Sequence, residues 1–168
     1  PRQDAVAAPS QRRRYVRPIQ PVSGKKNFHA TLDFRIEAFD ARPENPIVLG
    51  LFCSDQPLNL QSLTLQIGAP DLVHVVLTAN GQVQDWPLSV RDGLKTDHTY
   101  RVMFDYDGAT GLLQASLIAP SLGPSPVAQV QRIVPAATDS FAWDEFGIAL
   151  WEAAQTGGTP TRQAYRYL

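Results

Sequence analysis

Between Asp97 and Ala119 the chain reads DHTYRVMFDYDGATGLLQASLIA, two strand-like runs around a glycine-containing turn. Tyr100, Val102, Phe104 and Tyr106 alternate with Arg101, Met103 and Asp105. Period two is the spacing of a strand with one buried face. In the turn Asp107-Gly108-Ala109-Thr110-Gly111, a carboxylate can bond its own backbone and two glycines can take positive φ. The stretch therefore predicts a β-hairpin, and any fold for this chain must give it a core on one side.

Most other runs repeat this pattern. Phe28, Ala30, Leu32, Phe34, Ile36 and Ala38 alternate with His29, Thr31, Asp33, Arg35 and Glu37, which reads as a strand whose charges form a solvated ladder. Ile47 to Cys53 is nearly all apolar, as in a strand covered on both faces, with Cys53 a small buried residue. Ser62–Gly68 and Leu72–Ala79 are two more runs, and Asn80-Gly81 is a tight-turn signal leading into Gln82–Leu88. After the hairpin, 120–126 reads as a loop, Val127–Val134 and Ser140–Ala153 as strands, and Gln163–Leu168 as the last. Roughly ten short strands without a helical period predict an all-β, antiparallel sandwich or barrel.

The 168 residues, 43% of them hydrophobic, suit one domain with a sizeable core. No apolar run reaches the roughly 18 residues of a membrane helix. Pro1 to Ser10 lacks the apolar segment of a signal peptide. Charge is divided unevenly. Residues 1–27 hold seven basic side chains against Asp4, a net of +6, while the rest of the chain carries −7. This predicts a basic extended arm or linker over 1–21 and a sandwich domain over 22–168. The arm's dense cluster is Arg12, Arg13, Arg14, Tyr15 and Arg17. An acidic body without a recognition helix gives no nucleic-acid reading.

Three stretches resemble the concanavalin A-like lectin/glucanase jelly roll of LamG type. Phe28–Arg35 resembles its early strand, Tyr100–Leu113 its strand, "YD-x-x-TG-x-L" turn and return strand, and Phe141–Leu150 its late strand. The resemblance covers Val22 to Leu168 and implies a jelly-roll sandwich. The superfamily spans lectins, glycan-binding modules, glycoside hydrolases, lyases and adhesive domains, so the fold by itself assigns no activity. It also implies that a structural calcium held by scattered loop oxygens is compatible with the fold. No residue here is assigned to it, and no other cofactor is expected.

Catalytic patterns are missing. The E-x-D-x-x-E strand of laminarinase-like hydrolases, which places a proton donor and a nucleophile on one face, does not occur. Asp144 and Glu145 are adjacent and point to opposite faces. His29, His74 and His98 form no metal motif, and His74 reads as a satisfied sheet histidine. The chosen binding surface is aromatic. With Phe146, Ile148 and Leu150 inward, Trp143, Glu145 and Trp151 share the other face, where indoles could stack on sugar rings beside a carboxylate. Trp86 and Asp85 extend the candidate set. The first reading is a non-catalytic carbohydrate-binding or adhesion module, extracellular or on the cell surface, with a glycan as partner. The second is a self-assembling subunit whose basic arm docks on a neighbour's acidic body, giving a homo-oligomer. A hydrolase or lyase of the same fold is third.

Overall fold

The computed structural model describes residues 12–23, 25–37, 39, 46–55, 61–79, 81–96, 98–134, 142–151 and 165–166. In chain order the strands are β1 (Arg12–Ser23), β2 (Phe28–Ile36), β3 (Ile47–Phe52), β4 (Gln61–Ala69), β5 (Leu72–Ala79), β6 (Gln82–Pro87), β7 (Thr99–Asp107), β8 (Leu112–Ile118), β9 (Pro126–Ile133), β10 (Ala142–Trp151) and β11 (Tyr165–Arg166). A single 3-10 turn, Pro120–Leu122, interrupts the expected loop. The first sheet has the order β1-β10-β3-β4-β5-β6 and the second β11-β2-β7-β8-β9. All the strand pairs are antiparallel. The two sheets form a jelly-roll sandwich, as the resemblance implies.

Alternation sorts the side chains. Leu49 and Leu51, Leu63 and Leu65, Val73 and Val75 from the first sheet meet Phe34, Val102, Phe104, Leu113 and Leu117 from the second in one buried cluster. Full burial of each such side chain contributes about 1.5–3 kcal/mol. β3 is buried along its whole length, Ile47 to Phe52, as its continuous apolar run predicts. Its outward residues Val48 and Phe52 form a second cluster with Ala149 of β10, against which Val16 of β1 packs.

The organising hairpin is tied as expected. The Asp107 carboxylate accepts hydrogen bonds from the Ala109 amide (2.9 Å) and the Thr110 hydroxyl (2.7 Å). The Gly108 amide donates to Asn27 Oδ1 at 2.9 Å, which fastens this turn to the one joining β1 and β2. Asp33 and Arg101 stand directly opposite on β2 and β7 and form a bidentate pair at 2.6 and 2.7 Å.

The basic segment departs from expectation. Residues 12–23 are an edge strand of the chain's own sandwich, with Arg12 opposite Trp151 and Tyr15 opposite Ile148 on β10. The boundary between 21 and 22 therefore falls inside β1, and Arg12, Arg13, Arg14, Tyr15 and Arg17 lie in the domain instead of on a detached arm. One edge of this segment's backbone is paired with β10 within the chain, and its other edge is the edge of the sheet. An edge strand tolerates what made the segment look unlike a strand, its arginines and its prolines Pro18 and Pro21. Residues 1–11 lie outside the described residues.

Gly147 and Gly50 sit opposite each other where β10 runs between β1 and β3. A Cβ on Gly147 would stand 2.3 Å from the Tyr15 carbonyl oxygen, and one on Gly50 would stand 2.1 Å from that of Leu63. Gly147→Val should therefore push β1 off the sheet, lowering the unfolding free energy by about 1–3 kcal/mol and speeding amide exchange across 14–17 before the rest of the domain.

Two carboxyls also make stability depend on pH. Hydrogen bonding from Arg101 holds Asp33 below its ordinary value of 3.8, and bonds from Thr110 and the Ala109 amide do the same for Asp107. Because both are depressed in the folded state, their stabilisation is complete above 3.8 and is lost as pH falls through the folded values. Urea midpoints measured from pH 5 to 2 should fall below 3.8, and Asp107→Asn should make that fall shallower.

Candidate functional site

Trp143 does not take the place expected of it on an aromatic platform. Trp143 is 1% exposed and lies in the core, edge-on to Phe28 with ring centroids 5.6 Å apart. Alternation breaks at Asp144, whose carboxylate accepts from the Ser54 amide (2.7 Å) and hydroxyl (2.6 Å) in the turn after β3. The β1–β10 register shifts at the same place, between Pro18 and Val22. Trp143 is thereby turned onto the same side as Phe146 and Ile148, and it is not a sugar platform. Trp86 also faces inward, opposite Val75, and packs half-buried against the core. Glu145 is half-buried on the outward face of the first sheet, in register with Phe52 and Pro18. Trp151 ends β10 opposite Arg12, and its side chain lies outside the described residues. Asp85 bonds His74 Nδ1 at 2.6 Å, which gives that histidine the partner expected of it. The four whose side chains are described thus divide between the core and the outward face of the first sheet.

That outward face is closed at its centre. Val48, Phe52, Ser62, Thr64, Val76 and Thr78 are all buried. Cys53 is buried beside it and donates to Asp55 Oδ1 at 2.8 Å, and burial pushes its thiol up to about 11.

The second sheet presents an open face. Its registers place His29 of β2 opposite Asp105 of β7, Asp105 opposite Gln114 of β8, and Gln114 opposite Gln131 of β9. Four strands thus contribute one polar side chain each to a single row. The row is bonded in two pairs, one at each end. His29 Nδ1 meets Asp105 Oδ1 at 2.5 Å, and Gln131 Nε2 donates to Gln114 Oε1 at 2.5 Å. A carboxylate only accepts, so the His29 proton sits on Nδ1 and Nε2 is left as an acceptor when the ring is neutral. The His29 and Asp105 side chains are 56% and 41% exposed, so their remaining polar atoms face water.

Neighbouring rows complete the surface. Thr31, Met103, Ser116 and Gln129 lie on one side, followed by the Asp33–Arg101 pair. On the other side Leu112 and Ile133 stand opposite each other, 38% and 74% exposed. Two large aliphatic side chains in water beside a polar row form an amphipathic step. These residues were read only as a solvated ladder or as ordinary strand positions. A signal was present, since His29, Asp105, Gln114 and Gln131 all occupy polar positions of alternating strands, but it becomes a site only through register. Among the described residues no group of three His, Cys, Asp or Glu side chains is arranged to hold a metal ion, and no helix is long and apolar enough to cross a membrane.

No protein-family model matches the sequence, and a search of curated proteins finds no match. Solved structures do match. The winged bean acidic lectin complexed with methyl-α-D-galactose superposes with a TM-score of 0.54 at 13% identity, over 81% of this chain and 69% of that one. The basic winged bean lectin with Tn-antigen gives 0.53 at 16% identity, over 82% and 69%. The CBM2 module of the evolved Dit protein of Lactobacillus casei BL23 phage J-1 gives 0.51 at 16% identity, over 80% and 58%. At these identities the likeness is one of architecture, and it agrees with the two-sheet topology and with the stretches quoted from the sequence. The chain has the two-sheet jelly-roll sandwich fold of these structures.

Proposed function

We propose that this domain is a non-catalytic carbohydrate-binding module that holds glycan on the outward face of the second sheet. The observation that carries the reading is the exposed four-strand row His29–Asp105–Gln114–Gln131. Sugars present alternating donors and acceptors at short spacing, and a row of amides and a carboxylate offers the matching set. Strands lie about 4.8 Å apart, so the row extends about 14 Å, enough for an oligosaccharide lying across the strands.

Packing supports the same use. Leu112 and Ile133 supply an apolar step for the C–H face of a sugar ring, while Gln114 and Gln131 next to them bond its hydroxyls. Existing hydrogen bonds hold the row's side chains in place, which lowers the entropy lost on binding. Each solvent-exposed hydrogen bond contributes only about 0.5–1.5 kcal/mol, so affinity would be weak to moderate. The carboxylates of this face, Asp33 and Asp105, are tied to Arg101 and His29, which suits holding a ligand more than transferring protons to it. Two of the structural neighbours are lectins bound to methyl-galactose or to Tn-antigen, and these support the ligand class. Such a module would work outside the cell or at its surface.

A glycan array probed with the purified domain, followed by titration of the best ligand, tests the reading. Asp105→Asn and Gln114→Ala should each weaken binding about tenfold, equivalent to 1.4 kcal/mol, without moving the thermal midpoint. Trp143→Ala should do the reverse, destabilising the fold by about 3–5 kcal/mol while sparing affinity in the fraction that remains folded. Undiminished binding in both face variants would overturn the assignment.

A further inference from the structure

We infer that the glycan face ends in a subsite for an acidic sugar, the slot between β6 and β9, where Arg132 takes a carboxylate or sulfate group. The inference rests on the carbohydrate reading and specifies its ligand. The slot has a volume of about 420 Å³ and is lined by Pro87, Ser89, Gln129, Val130, Gln131 and Arg132. It is shallow and open to solvent. Gln131 belongs to both places, bonding Gln114 in the polar row and lining the slot. A chain of sugars following the row past β9 therefore enters the slot.

Charge along this path is graded. At the β2–β7 end, the carboxylates Asp33 and Asp105 are each joined to a basic side chain. Gln114 and Gln131 carry no charge. At the slot, Arg132 stands opposite buried Leu113, so its side chain leaves the inward side of edge strand β9, and its guanidinium donates through Nη1 to the Gln131 carbonyl oxygen at 2.7 Å. Its other N–H groups have no partner among the described residues, and no acidic side chain lines the slot. A planar guanidinium with free donors, beside the Ser89 hydroxyl and two amides, is matched to a carboxylate or sulfate oxygen pair. The corresponding slot on the other side of the sandwich, between β1 and β2, differs in kind. It measures about 430 Å³ and is walled mostly by apolar side chains such as Ile19, Phe28 and Leu51, with Gln20, His29 and Thr31 among them, and it has no arginine or lysine in its lining. Chemistry thus distinguishes the two ends, and it gives a bound acidic glycan a direction, with its anionic residue at β9.

The test uses titrations of the domain with tetragalacturonate and its methyl-esterified form, and with a chondroitin sulfate tetrasaccharide and its desulfated form. Wild type should bind at least one charged probe about tenfold more tightly than its matched partner. Which pair shows the preference distinguishes carboxylate from sulfate. Arg132→Gln should abolish the preference while leaving affinity for the methyl-esterified or desulfated form unchanged, and Arg132→Lys should keep part of it. Raising salt should erode the preference and not the residual binding. Equal affinity for charged and matched partners, or a preference that survives Arg132→Gln, overturns the inference while the glycan face itself stands. Failure to bind all four probes together with an empty neutral glycan array overturns the carbohydrate reading, and this inference with it.

Discussion

Register across β2, β7, β8 and β9 is the constraint on which the rest depends. Because side chains alternate with period two, one choice of pairing decides both what enters the core and what stands together outside. With Phe104 opposite Ala30 and Ala115, the even positions of β2 and β7 fill the interior, and His29, Asp105, Gln114 and Gln131 fall into one row. A slip of one residue would bury the row and expose Phe104. The 107–111 turn, with Asp107 bonded to Ala109 and Thr110, fixes the register at one end, and the bidentate Asp33–Arg101 pair fixes it at the other.

The two outward faces have been put to different uses by the same rule. On the first sheet, small and apolar side chains such as Val48, Thr64, Val76 and Thr78 are buried, and glycines at 50 and 147 allow close approach of neighbouring strands. On the second sheet, His29, Asp105, Gln114 and Gln131 are polar and reach water, with Ser116 buried beside them and Met103, Ile118 and the aliphatic pair at 112 and 133 interrupting the polar surface. Recognition of a polar ligand demands such a surface, since donors and acceptors buried without partners would cost more than they return.

What could be read from the sequence follows from which forces are local. β2, β7 and β8 were legible because alternation is local, and the 107–111 hairpin was legible because its turn residues are. β1 was not, since Pro18, Pro21 and a run of arginines resemble an extended tail and become a strand only against the edge of β10. Trp143 departs from strict alternation at Asp144, where a long-range bond to Ser54 turns the chain, and no local signal announces that bond. The polar row was invisible for a deeper reason. Its members come from positions 29, 105, 114 and 131, and only tertiary pairing brings them within bonding distance.

The most direct test of the account is a map of backbone amide NMR shifts while an oligosaccharide that binds the domain is added. The account predicts that the perturbed amides form one contiguous patch over the outward positions of β2, β7, β8 and β9, centred on 29, 105, 114 and 131. A patch on the first sheet, around Asp85 and Glu145, would contradict it and place the binding surface on the opposite side of the sandwich.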